Sequence, residues 1–280
     1  MPYHARMTSR TFCALLCAAA LLSVAPGDLR AQTTSPNTKL LSARALYYTP
    51  TVQGLKSFHC TVDFDWKDFL TRYSGAEVKD DSPYLQYLRT IHLAVADELS
   101  GDGKLEWTTS SAAPEGKEDA IAKIKDGMQQ MMVGFFSSWN GYMNGNMVPA
   151  PDATTTVTEN GDGLRLHAAA ETTEVTELFD KNLLLTEAHV VQPASDVLAY
   201  PTYIDTPDGR VVSSIRTVFR QPPTAPPAEL NIRISYTPVQ NFRIPDTLSY
   251  ELKNVGSFEF KFSACSVETT KKAPDKTATN

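Results

Sequence analysis

The sequence lacks the catalytic signatures that would assign a reaction to it. No Gly-x-Ser-x-Gly elbow and no His-Glu-x-x-His motif occurs, and Ser213 and Ser214 lie in an alternating segment rather than at a strand-to-helix turn. The four histidines that follow the first 31 residues are isolated in separate predicted strands: His59, His92, His167 and His189. We therefore expect no catalytic residue, no metal site and no cofactor, and an enzyme is the least favoured class of protein.

Long apolar segments are also scarce, and the one apolar run lies at the N-terminus. Residues 12–25 are apolar and small, but they are fewer than the roughly 20 residues that a membrane-spanning helix needs. Arg6 and Arg10 precede this run and Ala31 follows it, which is the layout of a cleaved signal peptide. A membrane anchor is the disfavoured alternative. The sequence thus predicts a signal peptide over residues 1–31 and a periplasmic or secreted protein.

Basic residues are outnumbered by acidic ones. The whole chain has 26 Lys and Arg against 32 Asp and Glu. Removal of residues 1–31 takes three basic residues and one acid with it, which leaves 23 basic and 31 acidic residues and a net charge of −8. Because nucleic acids and anionic membranes are bound by clustered cations, neither is expected as a partner. We expect a monomer that binds a hydrophobic ligand and that has, at most, an envelope protein as partner.

Cysteine is rare, and only two of the four cysteines lie beyond residue 31. An even number of cysteines in an oxidising compartment predicts a disulfide, here between Cys60 and Cys265. The alternation of the flanking residues argues against it, because Cys60 is in phase with Phe58 whereas Cys265 is out of phase with Phe260 and Phe262. A β-bulge would bring the two together. Without a bulge, each would be a buried free thiol.

The first 150 residues combine short strands with the long helices of the chain. A helix is predicted over residues 40–48, before Pro50. Strict alternation predicts a strand over residues 58–66, and a hairpin is predicted from residues 90–99 and 104–109. The helix residues expected to be buried are Leu41, Ala45 and Tyr48.

Three acids, Asp63, Asp65 and Asp68, crowd around the end of the first predicted strand. Clustered carboxylates can hold calcium or form the acid pair of a glycosidase. Asp63 and Asp65, however, fall on the polar phase of the strand, so a solvated face is the favoured interpretation.

A long helix is predicted over residues 118–147, with an apolar stripe too wide to face water. Five of the seven methionines of the chain lie within this segment. One interpretation is ordinary core packing. The other is a lid whose adaptable thioethers accommodate variable acyl chains. The stripe contains Ile121, Ile124, Met128, Met131, Met132, Phe135, Phe136 and Trp139.

From residue 154 onward the chain alternates between apolar and polar residues, interrupted by turn signals such as Gly161-Asp162-Gly163 and Pro207-Asp208-Gly209. The expected fold class is α+β, mainly β: a curved, unclosed antiparallel half-barrel of about 10–12 strands with covering helices. One domain is expected over residues 32–268, followed by a disordered tail, 269–280. The nine strands predicted here are 154–159, 163–171, 173–179, 183–192, 200–206, 210–220, 229–238, 246–254 and 257–267.

Three segments carry a resemblance to a known family. A helix followed by Gly54-Leu55-Lys56-Ser57-Phe58 and a long strand, the hairpin of residues 179–185, and the late meander of residues 234–245 resemble, in this order, the periplasmic lipoprotein-carrier (LolA-like) superfamily. The resemblance covers roughly residues 38–267. It implies a half-barrel whose helices form a lid over an apolar cavity for acyl chains, and an arginine inside the barrel that holds the lid. The candidates for that arginine are Arg89, Arg165 and Arg216.

The favoured function is therefore non-catalytic binding or carriage of a lipid-like ligand in the cell envelope, between the long helix and the sheet. The alternative is a structural or interaction protein whose sheet is filled by its own side chains. The residues expected to contact the ligand are Phe58, Phe64, Trp66, Met131, Met132, Phe135, Phe136 and Trp139.

Overall fold

The computed structural model describes residues 36–99, 103–143, 148, 155–253 and 256–270. The predicted signal peptide, the last four residues of the predicted long helix and all but two residues of the predicted tail lie outside these ranges. The helices are α1 (Pro36–Arg44), α2 (Trp66–Ser74), α3 (Pro83–Arg89) and α4 (Glu118–Met143). The strands are β1 (Leu55–Phe64), β2 (His92–Glu98), β3 (Lys104–Thr108), β4 (Thr155–Asn160), β5 (Gly163–Ala170), β6 (Thr173–Phe179), β7 (Leu185–Gln192), β8 (Ser195–Ile204), β9 (Val211–Arg220), β10 (Ala228–Val239), β11 (Phe242–Leu252) and β12 (Gly256–Thr269).

The strands form one open antiparallel sheet in the order β3-β2-β1-β12-β11-β10-β9-β8-β7-β6-β5-β4. Neighbours in sequence are neighbours in the sheet, except for β3 and β4, which form its two edges; the first strand, β1, pairs with the last, β12. This arrangement follows from the short connections between strands, since a tight turn returns the chain beside the strand it has just left. The predicted fold class is confirmed: all nine strands predicted after residue 150 are present, as is the hairpin of β2 and β3.

The sheet curves around α4. Trp139 donates a hydrogen bond from Nε1 to the Tyr236 hydroxyl on β10, whereas Asn140 donates from Nδ2 to Asp97 on β2. Consecutive residues of a helix point about 100° apart at almost the same height, because there are 3.6 residues per turn. β10 and β2 are four strand spacings apart in the sheet, yet they meet the helix side by side. The sheet therefore wraps around the helix, as a half-barrel requires.

Cys60 and Cys265 form a disulfide between β1 and β12, with a Cα–Cα distance of 4.1 Å. His59 pairs with Ser266 and Thr61 with Ser263, so β12 places two residues opposite Cys60 alone. Ala264, one of those two, has a φ of 47°. This is a β-bulge, which changes the phase of alternation along β12. The predicted disulfide is confirmed, and the bulge accounts for the mismatch in phase.

The first helix is displaced from its predicted position. α1 begins at Pro36 and ends at Arg44, so it buries Leu40 and Ala43, whereas Leu41 and Ala45 are exposed. The prediction that Leu41 and Ala45 are buried is wrong. Tyr48 is buried as predicted, but it lies in an extended segment whose backbone N–H donates to the carbonyl oxygen of Arg210.

The first strand begins and ends earlier than predicted: it runs from Leu55 to Phe64, and Trp66 begins a helix. The Asp65 side chain accepts a hydrogen bond from the backbone N–H of Asp68 at 2.9 Å and so caps α2. Gly75 ends α2 in the left-handed conformation that glycine adopts most easily. The short helices α2 and α3 were not predicted, although the spacing of Asp65 and Gly75 is a signal for the first of them.

Candidate functional site

Most of the apolar side chains predicted to bind a ligand pack against one another. The Phe136 ring lies 5.7 Å from that of Phe58 and 6.2 Å from that of Phe262, measured between ring centroids. Trp139 meets Phe58 edge to face at 5.8 Å. We call this cluster the aromatic core; it consists of Phe58, Phe135, Phe136, Trp139, Phe260 and Phe262.

The predicted ligand residues fall into two neighbouring groups. Phe58 lies with Met131, Met132, Phe135, Phe136 and Trp139 of α4, and all six are buried. Phe64 and Trp66 lie at the far end of β1, where their rings are 4.9 Å apart. Phe64 is half-buried and stacks on Phe260 at 4.8 Å. Trp66 is buried, whereas Phe64 also lines a groove of about 1230 Å³ on the outside of the sheet. Their role in ligand binding stays a prediction.

Hydrogen bonds anchor α4 to the sheet on several sides. The Tyr236 hydroxyl accepts from Trp139 at 3.1 Å and donates to the carbonyl oxygen of Val212 at 2.6 Å. The backbone N–H of Leu105, on the edge strand β3, donates to the Gln129 side chain at 3.1 Å. These bonds satisfy buried polar groups and cover part of a sheet edge.

The burial of α4 decides between a lid and a core helix. Four of its side chains are 0 % exposed: Met132, Phe135, Phe136 and Trp139. Exposing an apolar side chain of this size costs about 1.5–3 kcal/mol, so lifting the helix would cost roughly 6–12 kcal/mol for these four alone. That cost is comparable with the whole stability of a typical domain, about 5–15 kcal/mol. The helix α4 is therefore part of the folded core.

The interior face of β5–β9 is filled differently. One row of paired residues crosses these strands from Leu166 through Glu177, Ala188 and Ala199 to Thr217. In place of the rings of the aromatic core, this row has two alanines and a carboxylic acid. Ala188 is 2 % exposed and Glu177 is 1 % exposed, so the row faces the protein interior.

Glu177 is a buried acid without a hydrogen-bond partner for its Oε2 atom. Burial away from water raises the pKa of its carboxyl group well above the usual value. Three phenols, those of Tyr47, Tyr142 and Tyr203, interact electrostatically with this carboxyl group. We call these four residues the Glu177 cluster.

The tyrosines of the cluster come from three separate parts of the chain. Tyr142 lies in the last turn of α4, Tyr203 lies on β8, and Tyr47 follows α1. The Tyr47 hydroxyl accepts a hydrogen bond from the backbone N–H of Leu185 at 2.8 Å, and its ring lies 5.3 Å from that of Tyr203. The Tyr203 hydroxyl is also buried; it interacts with that of Tyr47 but makes no hydrogen bond of normal geometry. Two polar groups with unused hydrogen-bonding capacity thus lie in one apolar interior.

No interior arginine is found among the three candidates suggested by the family resemblance. Arg89 bonds to Asp80 at the surface, and Arg165 is exposed on β5. Arg216 is exposed on β9, with its guanidinium 4.1 Å from the centre of the Tyr200 ring. Among the described residues, the buried polar side chains include two acids, Asp97 and Glu177, but no Lys, Arg or His. The interior is acidic where the resemblance implies a cation.

A groove of about 1230 Å³ lies outside the interior, between α2 and the ends of β10–β12. Its charged residues are already paired: Arg72 with Asp68 at 2.7 Å, and Arg233 with Glu251 at 3.5 Å. Asp63 is exposed here and accepts a hydrogen bond from Ser263. The acids around the end of β1 therefore act as a helix cap, an ion-pair partner and a solvated side chain.

The remaining polar chemistry on the described chain is dispersed. Within the described ranges, no group of three or more His, Cys, Asp or Glu side chains is placed to hold a metal ion. Over the same residues, no helix is long and apolar enough to cross a membrane. His189 pairs with Asp196 at 2.8 Å, and Arg220 reaches the same acid at 2.9 Å, all on the outer face.

The Glu177 cluster was not predicted from the sequence. Glu177 alternates in phase with Val175 and Phe179, both apolar and buried, so an acid at an apolar position was the available signal. The convergence of three tyrosines from distant segments had no sequence signal. Comparison of the chain with protein-family models, with curated proteins and with solved structures finds no match, so the resemblance to the lipoprotein carriers stays a prediction.

Proposed function

We propose that this protein is a non-catalytic binding protein of the cell envelope that holds a hydrophobic ligand with a polar end inside its half-barrel. The observation that supports this proposal is the Glu177 carboxyl group, which is buried and unpartnered among tyrosines on the interior face. An apolar side chain at this position would avoid the cost of burying a polar group without a hydrogen bond. Positions where a chain departs from the pattern of a stable core are often functional.

The compartment is consistent with this function. The disulfide between Cys60 and Cys265 fits an oxidising environment outside the cytoplasm. Export through the predicted signal peptide would place the protein in the periplasm or outside the cell. A carrier of apolar molecules is useful there, since such molecules cannot cross an aqueous space unaided.

The ligand is expected at the Glu177 end of the interior rather than among the rings under α4. The aromatic core is filled by its own side chains, and opening it would cost most of the stability of the fold. We infer that the eight residues first predicted to contact the ligand belong to the packed core beside the site and do not contact the ligand themselves. Small side chains such as Ala188 and Ala199 then define where an apolar chain can lie.

Native mass spectrometry of the protein purified from an envelope fraction tests this function. A bound molecule of lipid-like mass that is released by organic extraction is the expected result. The empty protein should then be titrated with fatty alcohols, amines and acids. Binding should change the tryptophan fluorescence, because Trp139 lies on α4 one turn before Tyr142 of the Glu177 cluster. Absence of any bound or titratable amphiphile would refute the proposal.

A second function is favoured by the packing of the aromatic core. Mutual contacts among Phe58, Phe136 and Trp139 are what a self-filled structural or interaction protein would show. In that case the outer groove beside α2, rather than the interior, would meet a protein partner. The titration distinguishes the two functions, because a self-filled protein binds no amphiphile.

A further inference from the structure

We infer that the Glu177 cluster recognises the amine end of a cationic amphiphile, with the Glu177 carboxylate as the partner of the ammonium group and the tyrosine rings around it. This inference rests on the proposed function and names the class of ligand. The geometry that supports it is a buried acid with a free oxygen and a buried phenol in the same cluster. Among the described residues no Lys, Arg or His is fully buried, although the Nε atom of Arg243 is.

The charges around the acid exclude the opposite class of ligand. The groups that interact with Glu177 electrostatically are the phenols of Tyr47, Tyr142 and Tyr203. The nearest cation in this network is Arg210, which acts on Tyr47 and is paired with Asp205 at 2.7 Å. A carboxylate or phosphate end would be buried here with no cation in this network free to neutralise it, and burial of an unpaired charge is costly. A fatty acid is therefore a poor occupant.

An ammonium group satisfies every unpartnered atom of the cluster. It donates up to three hydrogen bonds and accepts none, which matches the acceptor atoms of Glu177 and Tyr203. Cations also bind favourably over the faces of tyrosine rings, more strongly where water is excluded. A neutral hydroxyl end offers a single donor and no charge, so it leaves the acid without a counter-ion.

Binding of an amine is expected to release a proton from the protein. Burial raises the pKa of Glu177 and so disfavours the ionised form in the empty site, whereas pairing with an ammonium ion requires that form. Affinity for the amine should therefore increase as the pH rises from 5 to 8. Binding of a fatty alcohol, which needs no ionisation, should not change with pH.

The test uses dodecylamine, dodecanol and dodecanoate at concentrations below micelle formation, measured by calorimetry and native mass spectrometry. We expect the protein to bind dodecylamine at least about tenfold more tightly than dodecanoate at pH 7.5. E177Q, which keeps the shape of the side chain, should lose at least about tenfold in dodecylamine affinity and lose its pH dependence. Dodecanol binding should change by less than about twofold. E174Q is the matched control, since Glu174 is exposed on the opposite face of β6.

The outcomes separate the ligand class from the function. If E177Q and the unaltered protein bind all three amphiphiles alike, the amine assignment is overturned while the binding function stands. If the unaltered protein binds none of the three, both proposals fail. Infrared spectroscopy gives a readout that needs no variant: the carbonyl band of a protonated carboxyl group should disappear when dodecylamine is added, and its persistence in the complex would overturn the ion pair.

Discussion

The two parts of the interior obey different rules of packing. Under α4, the aromatic core joins β1 and β12 to the helix with rings at contact distance. Across β5–β9, the same interior face carries Ala188, Ala199 and an acid. The first arrangement maximises contact and stability. The second retains a buried acid at a position where an apolar side chain would pack better. This difference is what the proposed function predicts, with stability and ligand binding assigned to different ends of one half-barrel.

The disulfide lies on the stabilised side of this division. Cys60 and Cys265 join β1 and β12, the first and last strands of the chain, which are neighbours in the sheet. Both strands contribute to the aromatic core. A covalent link between the two ends of the chain limits the conformations of the unfolded state. We therefore expect changes in the aromatic core and in the disulfide to cost most, and changes in the Glu177 cluster to act mainly on binding.

Phe136→Ala should cause the largest loss of stability. Its ring is 0 % exposed and contacts Phe58, Phe135, Trp139 and Phe262, so truncation leaves a cavity that the core cannot fill. We expect a loss of about 3–5 kcal/mol in the free energy of unfolding, measured by urea denaturation with the disulfide intact. Tyr73→Ala, at a ring that is 78 % exposed, is the control and should cost less than about 1 kcal/mol. A loss that small at Phe136 would mean that α4 is a movable lid.

Removal of the disulfide should be the next largest effect. The double variant Cys60→Ala and Cys265→Ala should lose about 2–5 kcal/mol of stability relative to the oxidised protein. When the unaltered protein is unfolded without reductant and treated with a thiol reagent, neither Cys60 nor Cys265 should be labelled. Two labelled thiols would contradict the disulfide.

Tyr236→Phe tests the polar link between the helix and the sheet. The hydroxyl group joins Trp139 to the carbonyl oxygen of Val212, and its loss leaves a buried indole N–H without an acceptor. A loss of about 1–3 kcal/mol is expected in the same denaturation experiment. Tyr200→Phe is the matched control on the outer face of β8, where a change near zero is expected. Equal effects of the two substitutions would show that the link does not hold α4 in place.

The sequence predicted the sheet well because alternation and turns are local signals. Strand order followed from the short connections, and the phase of Cys265 indicated the need for the bulge that Ala264 supplies. Pro36 is a local signal for the start of α1 that the prediction did not use. The pairing of Tyr48 with Arg210, by contrast, is a contact across the fold. The convergence of Tyr47, Tyr142 and Tyr203 on Glu177 is likewise tertiary. No periodicity in the sequence indicates which distant residues meet.

Of the substitutions considered, Glu177→Gln should have the smallest effect on stability near pH 5. Unlike the others, it should stabilise the protein. The pKa of the buried carboxyl group is raised above its value in the unfolded chain, about 4.3. Below pH 4 both states are protonated, so the acid costs nothing through ionisation. Above that pH the unfolded chain gains free energy by releasing the proton, while the folded protein keeps it, so the stability of the unaltered protein falls as the pH rises towards the raised pKa.

The glutamine variant lacks this penalty, so its stability relative to the unaltered protein should increase as the pH rises from 4 towards 8. Urea denaturation of both proteins between pH 4 and 8 measures the difference. E174Q should show no such increase, because Glu174 is exposed in the folded protein. Saturating dodecylamine should reverse the order of the two proteins at pH 7.5, since a ligand that binds the folded state stabilises it in proportion to its affinity. If the difference in stability between the two proteins stays constant with pH, Glu177 ionises as easily in the folded protein as in the unfolded chain. The contrast drawn between the interior face of β5–β9 and the aromatic core would then fail.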